Sequence, residues 1–299
     1  MADGMAARLK DVSPRWLKDV ANSVTRAYAV RTAERRHLPD FMIIGTKRGG
    51  TTSLWNYLVG HPLVMPMYPP SRGLKSPWYF YANYARGDAW YRSHFATEGE
   101  LDRWEAQHGA RPLTGEACPY YMYDPRIAGR VHSMMPELKI VVLLRDPVKR
   151  AYSHFWERTG EGDEVLTFEE ALAAEPARME GELDRMAADP YYYSRPHDFF
   201  SYRDRGVYLP QLRRWAELYS RERMLVMPAE ELYADEQRAV DRVCAFLGLP
   251  PHPLTVAERH NHLPAPAMNP GTKAELTEFY REHNRELFAW LGADYGWPV

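Results

Sequence analysis

The chain has 299 residues, 45% hydrophobic and 26% charged, a globular composition sufficient for one large domain or two modest ones. Its formal net charge of -2 gives no global electrostatic case for nucleic-acid binding. The two cysteines, Cys118 and Cys244, have no metal-ligand spacing and no disulfide framework to join, so both are expected as buried thiols in a reducing compartment.

Residues 13–36 place Trp16, Val20, Val24, Tyr28 and Val30 among Arg and Lys at near-helical spacing, which predicts a helix, read first as packing on the rest of the chain, then as an oligomer contact and last as a weak membrane-surface helix. Residues 1–38 are therefore expected as an N-terminal helical extension, and 39–299 as the catalytic domain. Residues 40–45 form a short apolar run ending in glycine, which suits a buried parallel strand. Residues 51–59 follow as a helix with Leu54, Tyr57 and Leu58 on one face. A second buried strand is predicted over 139–145, then a helix over 147–158 with Pro147 near its first turn. Thr167 and Glu170 form a capping-box pair that predicts the start of a structural helix. Residues 190–200 are aromatic-rich and broken by proline, and read as a loop over a cleft. A third apolar run over 224–227 precedes a helix through 247, and another helical pattern spans 273–291. Strands separated by helical segments predict an α/β, three-layer P-loop-like fold with a central parallel sheet flanked by helices. No apolar run reaches the ~20 residues of a membrane span, and the first residues lack the apolar core of a secretory signal. A cytoplasmic protein without an integral membrane span is expected.

The segment Gly45-Thr46-Lys47-Arg48-Gly49-Gly50-Thr51-Thr52-Ser53 lies where a phosphate-binding loop belongs, between an apolar strand and an amphipathic helix. Glycines let backbone approach phosphate oxygens, and the helix start presents free N–H groups and a positive dipole end to the anion. Lys47 and Arg48 supply charge; Thr51, Thr52 and Ser53 supply hydroxyls. Against the nucleotide-hydrolase pattern G-x-x-x-x-G-K-[ST], the lysine slot holds Thr51, which disfavours a P-loop kinase or ATPase. A second corner is Arg145-Asp146-Pro147-Val148-Lys149-Arg150-Ala151-Tyr152-Ser153. Arg145 ends a strand at the edge where open α/β sheets bind ligands, and Ser153 follows two helical turns later on the same side. An arginine fork with a hydroxyl suits a nucleotide phosphate.

Together these corners resemble the sulfotransferases that use 3′-phosphoadenosine-5′-phosphosulfate (PAPS). The resemblance runs over about residues 40–292 and looks closest to the heparan-sulfate and bacterial carbohydrate-type branch. It also includes Gly115-Glu116-Ala117-Cys118-Pro119, Arg130-Val131-His132-Ser133-Met134-Met135-Pro136, Arg205-Gly206-Val207-Tyr208 and Cys244-Ala245-Phe246-Leu247-Gly248-Leu249. It implies that Lys47, Arg48, Gly49, Gly50, Thr51, Thr52 and Ser53 cradle the 5′-phosphosulfate and that Arg145 and Ser153 hold the 3′-phosphate. It further implies that Arg205 and Gly206, with Lys273, border the nucleotide, and that adenosine 3′,5′-bisphosphate (PAP) is released. Two departures stand out. Arg48 occupies the family's usual lysine position. Lys75-Ser76-Pro77-Trp78-Tyr79-Phe80 carries Ser76 where the glycan-acting branch has its catalytic glutamate.

Sulfuryl transfer needs in-line geometry and neutralisation of charge on the leaving phosphate, which Arg48, Lys47 and the loop amides can provide without a metal. No metal-ligand cluster appears in the sequence, and none is expected. With Ser76 in the glutamate position, the candidate bases are Glu157, one turn beyond Ser153, then Glu116, which follows a strand edge, and His154; a capping or structural role is read for His132. The expected acceptor is a hydroxyl of a small molecule, glycolipid or carbohydrate, with Trp78 suggesting an apolar pocket. The rival readings are an ATP-using P-loop kinase and a non-catalytic nucleotide-binding protein. Oligomeric state is not legible in the sequence.

Overall fold

A computed structural model describes residues 15–254 and 265–299, with side chains from residue 23 onward. The first 14 residues of the expected extension lie outside the described residues. Five strands form one parallel sheet: β1 (Phe41–Gly45), β2 (Val64–Met65), β3 (Leu113–Ala117), β4 (Lys139–Leu144) and β5 (Met224–Pro228). Their order is β2-β3-β1-β4-β5, and helices flank the sheet, as the alternating apolar runs predict. Every residue of β1 is buried, and so is every residue of β4 after Lys139. A strand covered on both faces must be apolar throughout, which is why these two were readable as continuous runs. Phe41, Ile43, Ile44, Ile140, Val142 and Leu144 are all fully buried, each such side chain contributing ~1.5–3 kcal/mol.

Strand order decides where a ligand can sit. The chain leaves β1 toward β2 and β3 on one side and leaves β4 toward β5 on the other. The carboxyl ends of neighbouring β1 and β4 therefore flank a switch point, the crevice where open α/β sheets receive ligands. The β1–β4 register also shifts between Ile43 and Gly45, just before the glycine-rich segment.

The helix Thr51–Val59 packs against Glu236–Leu247, and the long helix Pro270–Leu291 packs against Tyr208–Ala216 and Pro147–Gly160. The amino-terminal helix Arg15–Arg31 is tied down at its end. Arg26 Nη1 donates to the Ser93 carbonyl at 2.6 Å and to Ser93 Oγ at 2.9 Å, and Ala29 is fully buried. The capping box at Thr167 forms, with Thr167 and Glu170 each satisfying the other's backbone N–H. Two boundaries differ from expectation. The helix after β5 is two helices, Ala229–Ala234 and Glu236–Leu247, because Asp235 turns outward and caps the second by accepting from the Arg238 N–H. The segment 190–200 contains a short helix, Arg195–Phe199, started by Ser194, whose hydroxyl accepts from the His197 N–H, and by Pro196. Cys118 and Cys244 are both buried free thiols.

Candidate active site

The first corner is built by two close backbone contacts. The Thr46 N–H donates to the Leu143 carbonyl at 2.6 Å, joining the end of β1 to β4, and the Gly49 N–H donates to the Thr46 carbonyl at 2.8 Å. A Cβ on Gly49 would stand 2.7 Å from the Leu143 oxygen, so any larger residue would push the turn away from the sheet. Gly50, at φ 84, takes the left-handed conformation that glycine adopts freely. Arg48 adopts φ 74 without being glycine, a backbone geometry found mostly at functional turns. The helix Thr51–Val59 then begins with no side chain capping its first amides. Those amides and the dipole end face the loop and can receive an anion.

The second corner is organised by Asp146, whose carboxylate accepts from the Val148 and Lys149 N–H groups, and by Pro147 in the first turn. This fixes the helix Pro147–Gly160 so that Ser153 and Glu157 lie on one face, four residues apart. The two corners meet directly. Arg48 Nε donates to Ser153 Oγ at 3.0 Å, and Arg48 Nη1 donates to Glu157 Oε1 at 2.9 Å. From the other direction, Arg145 Nη1 donates to the Arg48 carbonyl at 2.9 Å.

Glu157 is the focus of the local charge. Lys47 Nζ lies 3.9 Å and Arg158 Nη2 3.3 Å from its Oε2, in addition to the Arg48 bond. Burial pushes the Glu157 pKa up, but Lys47, Arg48 and Arg158 outweigh it and hold the carboxyl below its ordinary value. Lys47 is 13% exposed at its side chain and lies 3.4 Å from Asp198 Oδ1. Burial lowers its pKa, with Asp198 and Glu157 opposing and Arg205 adding to the fall. Arg158 and Lys47 both approach the Phe199 ring, at 4.6 and 5.4 Å. The result is a cluster at the switch point in which Lys47, Arg48 and Arg158 share Glu157, while Asp198 also pairs with Lys47 and Glu161 and Asp163 with Arg158.

The remaining sequence candidates lie elsewhere. Arg205 is fully buried, and its Nη2 donates to the His197 and Asp198 carbonyls at 2.7 and 2.9 Å. It holds the turn that carries Asp198, behind Lys47. Gly206 packs under Tyr280, whose hydroxyl a Cβ there would meet at 2.5 Å. Lys273 is exposed on the first turn of Pro270–Leu291. Glu116 lies inside β3, not after it, paired in register with Met42 and wholly buried near the Tyr91 and Tyr121 hydroxyls. Burial raises its pKa to about 8. His154 is also fully buried, edge-on to Tyr202 at 5.1 Å, and burial drives its pKa well down. His132 sits edge-on to Tyr219. Of the candidate bases, Glu157 is the one that the structure brings to Lys47 and Arg48.

Sequence reading missed three contributors: Asp198, Arg158 and Lys75, whose Nζ donates to Thr52 Oγ1 at 2.7 Å. Asp198 and Arg158 sit in segments already of interest, but no local spacing distinguishes them from surface charges. Among the described residues, no group of His, Cys, Asp and Glu could hold a metal ion, and no helix is long and apolar enough to cross a membrane.

Known proteins match this arrangement. A sulfotransferase domain model matches residues 38–288. The chain is 24% identical to the membrane-associated sulfotransferase kil1 of Dictyostelium discoideum, over 87% of this chain and 66% of that protein, so it spans just under two thirds of that relative. It is 28% identical to human heparan sulfate glucosamine 3-O-sulfotransferase 6, over 88% of this chain and 75% of that one. Among solved structures, a sulfotransferase from Alicyclobacillus acidocaldarius superposes with a TM-score of 0.63 at 27% identity, covering 86% of this chain and 97% of that one. Matched over most of its length in sequence and in fold, the chain belongs to the sulfotransferase family, whose reaction is transfer of a sulfuryl group from PAPS to an acceptor hydroxyl.

Proposed function

We propose that residues 39–299 form the catalytic domain and hold PAPS across the β1–β4 switch point, in a P-loop-like corner, for transfer to a small-molecule, glycolipid or carbohydrate hydroxyl. In this reading the amides and hydroxyls of Gly49, Gly50, Thr51, Thr52 and Ser53 bind the 5′-phosphosulfate, while Arg145 and Ser153 bind the 3′-phosphate. Lys47 and Arg48 neutralise charge on the sulfuryl oxygens and the leaving phosphate. The single observation that carries the reading is the contact of the two corners: Arg48 reaches Ser153 at 3.0 Å, while Arg145 reaches the Arg48 carbonyl at 2.9 Å. That contact supports placing both ends of one adenosine bisphosphate against these two corners.

The acceptor oxygen attacks sulfur as the bond from sulfur to the bridging oxygen breaks. That electron pair stays on the 5′-phosphate of PAP, and the acceptor proton passes to a base. Glu157 is the carboxylate available for that proton. In the ligand-free arrangement it is the counter-ion of Arg48; an anionic donor that draws Arg48 away leaves Glu157 with less positive charge around it and makes it a stronger base. Trp78, half exposed beside buried Ser76 and donating its backbone N–H to Ser76 Oγ at 3.0 Å, offers an apolar surface to the acceptor. The likeness to a heparan sulfate sulfotransferase supports a carbohydrate-type acceptor; the exposed indole supports one with an apolar part.

The test is transfer of labelled sulfate from PAPS to a panel of sugar, glycolipid and phenolic hydroxyls, with calorimetric binding of PAP alongside. PAP binding with label appearing on an acceptor supports the assignment. Failure to bind PAP overturns it.

A further inference from the structure

The mechanism above leaves a part-buried cation at the carboxyl edge of the sheet, Lys75, unused. Lys75 lies in the segment that follows the turn Pro70–Arg72, and its own carbonyl accepts from the Ala117 N–H at 2.7 Å. That bond pins its backbone to the carboxyl end of β3, next to β1. Its side chain crosses to the first turn of the helix Thr51–Val59, where Nζ donates to Thr52 Oγ1 at 2.7 Å. The ammonium therefore points at the start of the phosphate-binding helix, from the side opposite Arg145. Burial lowers its pKa; its hydrogen bond goes to a neutral hydroxyl, and Cys118 and Glu157, which raise the pKa, and Arg48, which lowers it, act on it through space.

A largely buried ammonium answered by a hydroxyl is an expensive arrangement. It becomes favourable when an anion completes the shell, because a charge-assisted bond in a water-poor crevice is about twice as strong as a neutral one. The nearest anion site is the one that Thr52 itself borders. Ser76, the next residue, occupies the position where glycan-acting relatives carry their glutamate, so the segment retains a positive charge here without the adjacent negative one.

Resting on the donor assignment above, we propose that Lys75 is a further catalytic residue: it contacts the 5′-phosphosulfate beside Thr52 and stabilises the charge that gathers on the bridging oxygen as the bond to sulfur breaks. In this assignment Lys47 and Arg48 approach the transferring group from the β4 side and Lys75 from the β3 side. No proton moves to or from Lys75; the pair of electrons released from the sulfur–oxygen bond remains on the 5′-phosphate, and the acceptor proton leaves through the carboxylate.

The test compares wild type, Lys75→Met and Lys75→Arg by calorimetry with PAP, by thermal unfolding with and without PAP, and by turnover of PAPS. Removing an incompletely answered buried charge should leave the melting temperature of the ligand-free Lys75→Met protein unchanged or higher. PAP affinity should fall roughly 10- to 100-fold, the range for one hydrogen bond to a charged group. Turnover should fall further than affinity, and Lys75→Arg should recover part of both. A lower ligand-free melting temperature with unchanged PAP affinity would make Lys75 a structural brace and overturn the proposal. If Lys75→Met does not fold, Lys75→Gln decides: lower PAP affinity and turnover, partly restored in Lys75→Arg, support charge at that place, and wild-type PAP affinity with unaltered kinetics in Lys75→Gln refutes it. Wild-type protein that fails to bind PAP would sink the donor assignment itself, whereas wild-type binding with equal binding by Lys75→Met sinks only the role of Lys75.

Discussion

Arg145→Ala tests the two halves of the proposed donor site separately. The guanidinium donates from Nη1 to the Arg48 carbonyl at 2.9 Å and lies 5.8 Å from the Tyr233 ring, so it braces the first loop. If its fork also binds the 3′-phosphate, its loss removes charge-assisted bonds together worth ~2–3 kcal/mol, or roughly 30- to 150-fold in PAP affinity. Adenosine 5′-monophosphate lacks the 3′-phosphate and should suffer only the loosening of the loop, ~1 kcal/mol or about fivefold. Calorimetry with both ligands on both proteins measures the difference directly. Arg145→Lys should recover part of the PAP loss, since a point charge replaces a planar fork. Equal losses for the two nucleotides would refute the 3′-phosphate role and leave Arg145 as a brace for Arg48.

Glu157→Gln should lower turnover by ~10²–10⁴ while PAP affinity stays the same or rises, because the carboxylate competes with the donor for Arg48; unchanged turnover would end its candidacy as base. Since Lys47, Arg48 and Arg158 hold Glu157 ionised below its ordinary value of 4.5, the acid limb it causes in a pH profile of the free enzyme should lie below that value and vanish in the Gln variant. Glu116 behaves oppositely. Its pKa is raised from 4.5 to about 8 in the fold, so its contribution is fully present below about 4.5 and declines as pH rises toward 8, by up to about 5 kcal/mol relative to Glu116→Gln. Urea unfolding of both proteins at pH 5 and pH 8.5 checks this, and parallel pH dependence would contradict it. Gly50→Ala forces a Cβ onto a left-handed residue, costing ~1–2 kcal/mol of stability and weakening PAP binding with it; a neutral effect on both would show that the loop is not held as described.

Much of this architecture was legible from short stretches of chain. The runs at 41–45 and 139–144, the helices that follow them and the roles of Gly49, Gly50 and Pro147 are local matters: strands buried on both faces must be apolar throughout, and glycine and proline mark where the backbone turns. The strand β3 was harder, since Leu-Thr-Gly-Glu-Ala has no apolar run; its edges are covered by β1 and β2, and the helix Thr51–Val59 packs against it. The same reason hid the state of Glu116, whose position in a buried strand, not its neighbours in sequence, raises its pKa. Partnerships were out of reach altogether. Nothing local joins Arg48 to Glu157, 109 residues away, or Lys75 to Thr52. Those pairings follow from strand order, which sets the ends of β1, β3 and β4 side by side. Sequence by itself determined that two corners carrying cations and hydroxyls exist, because each is a strand, a turn and a helix start in succession. That they touch each other, with Glu157 at the contact and His154 turned into the core, was decided only by tertiary packing, which sets side-chain direction through contacts far apart in the chain.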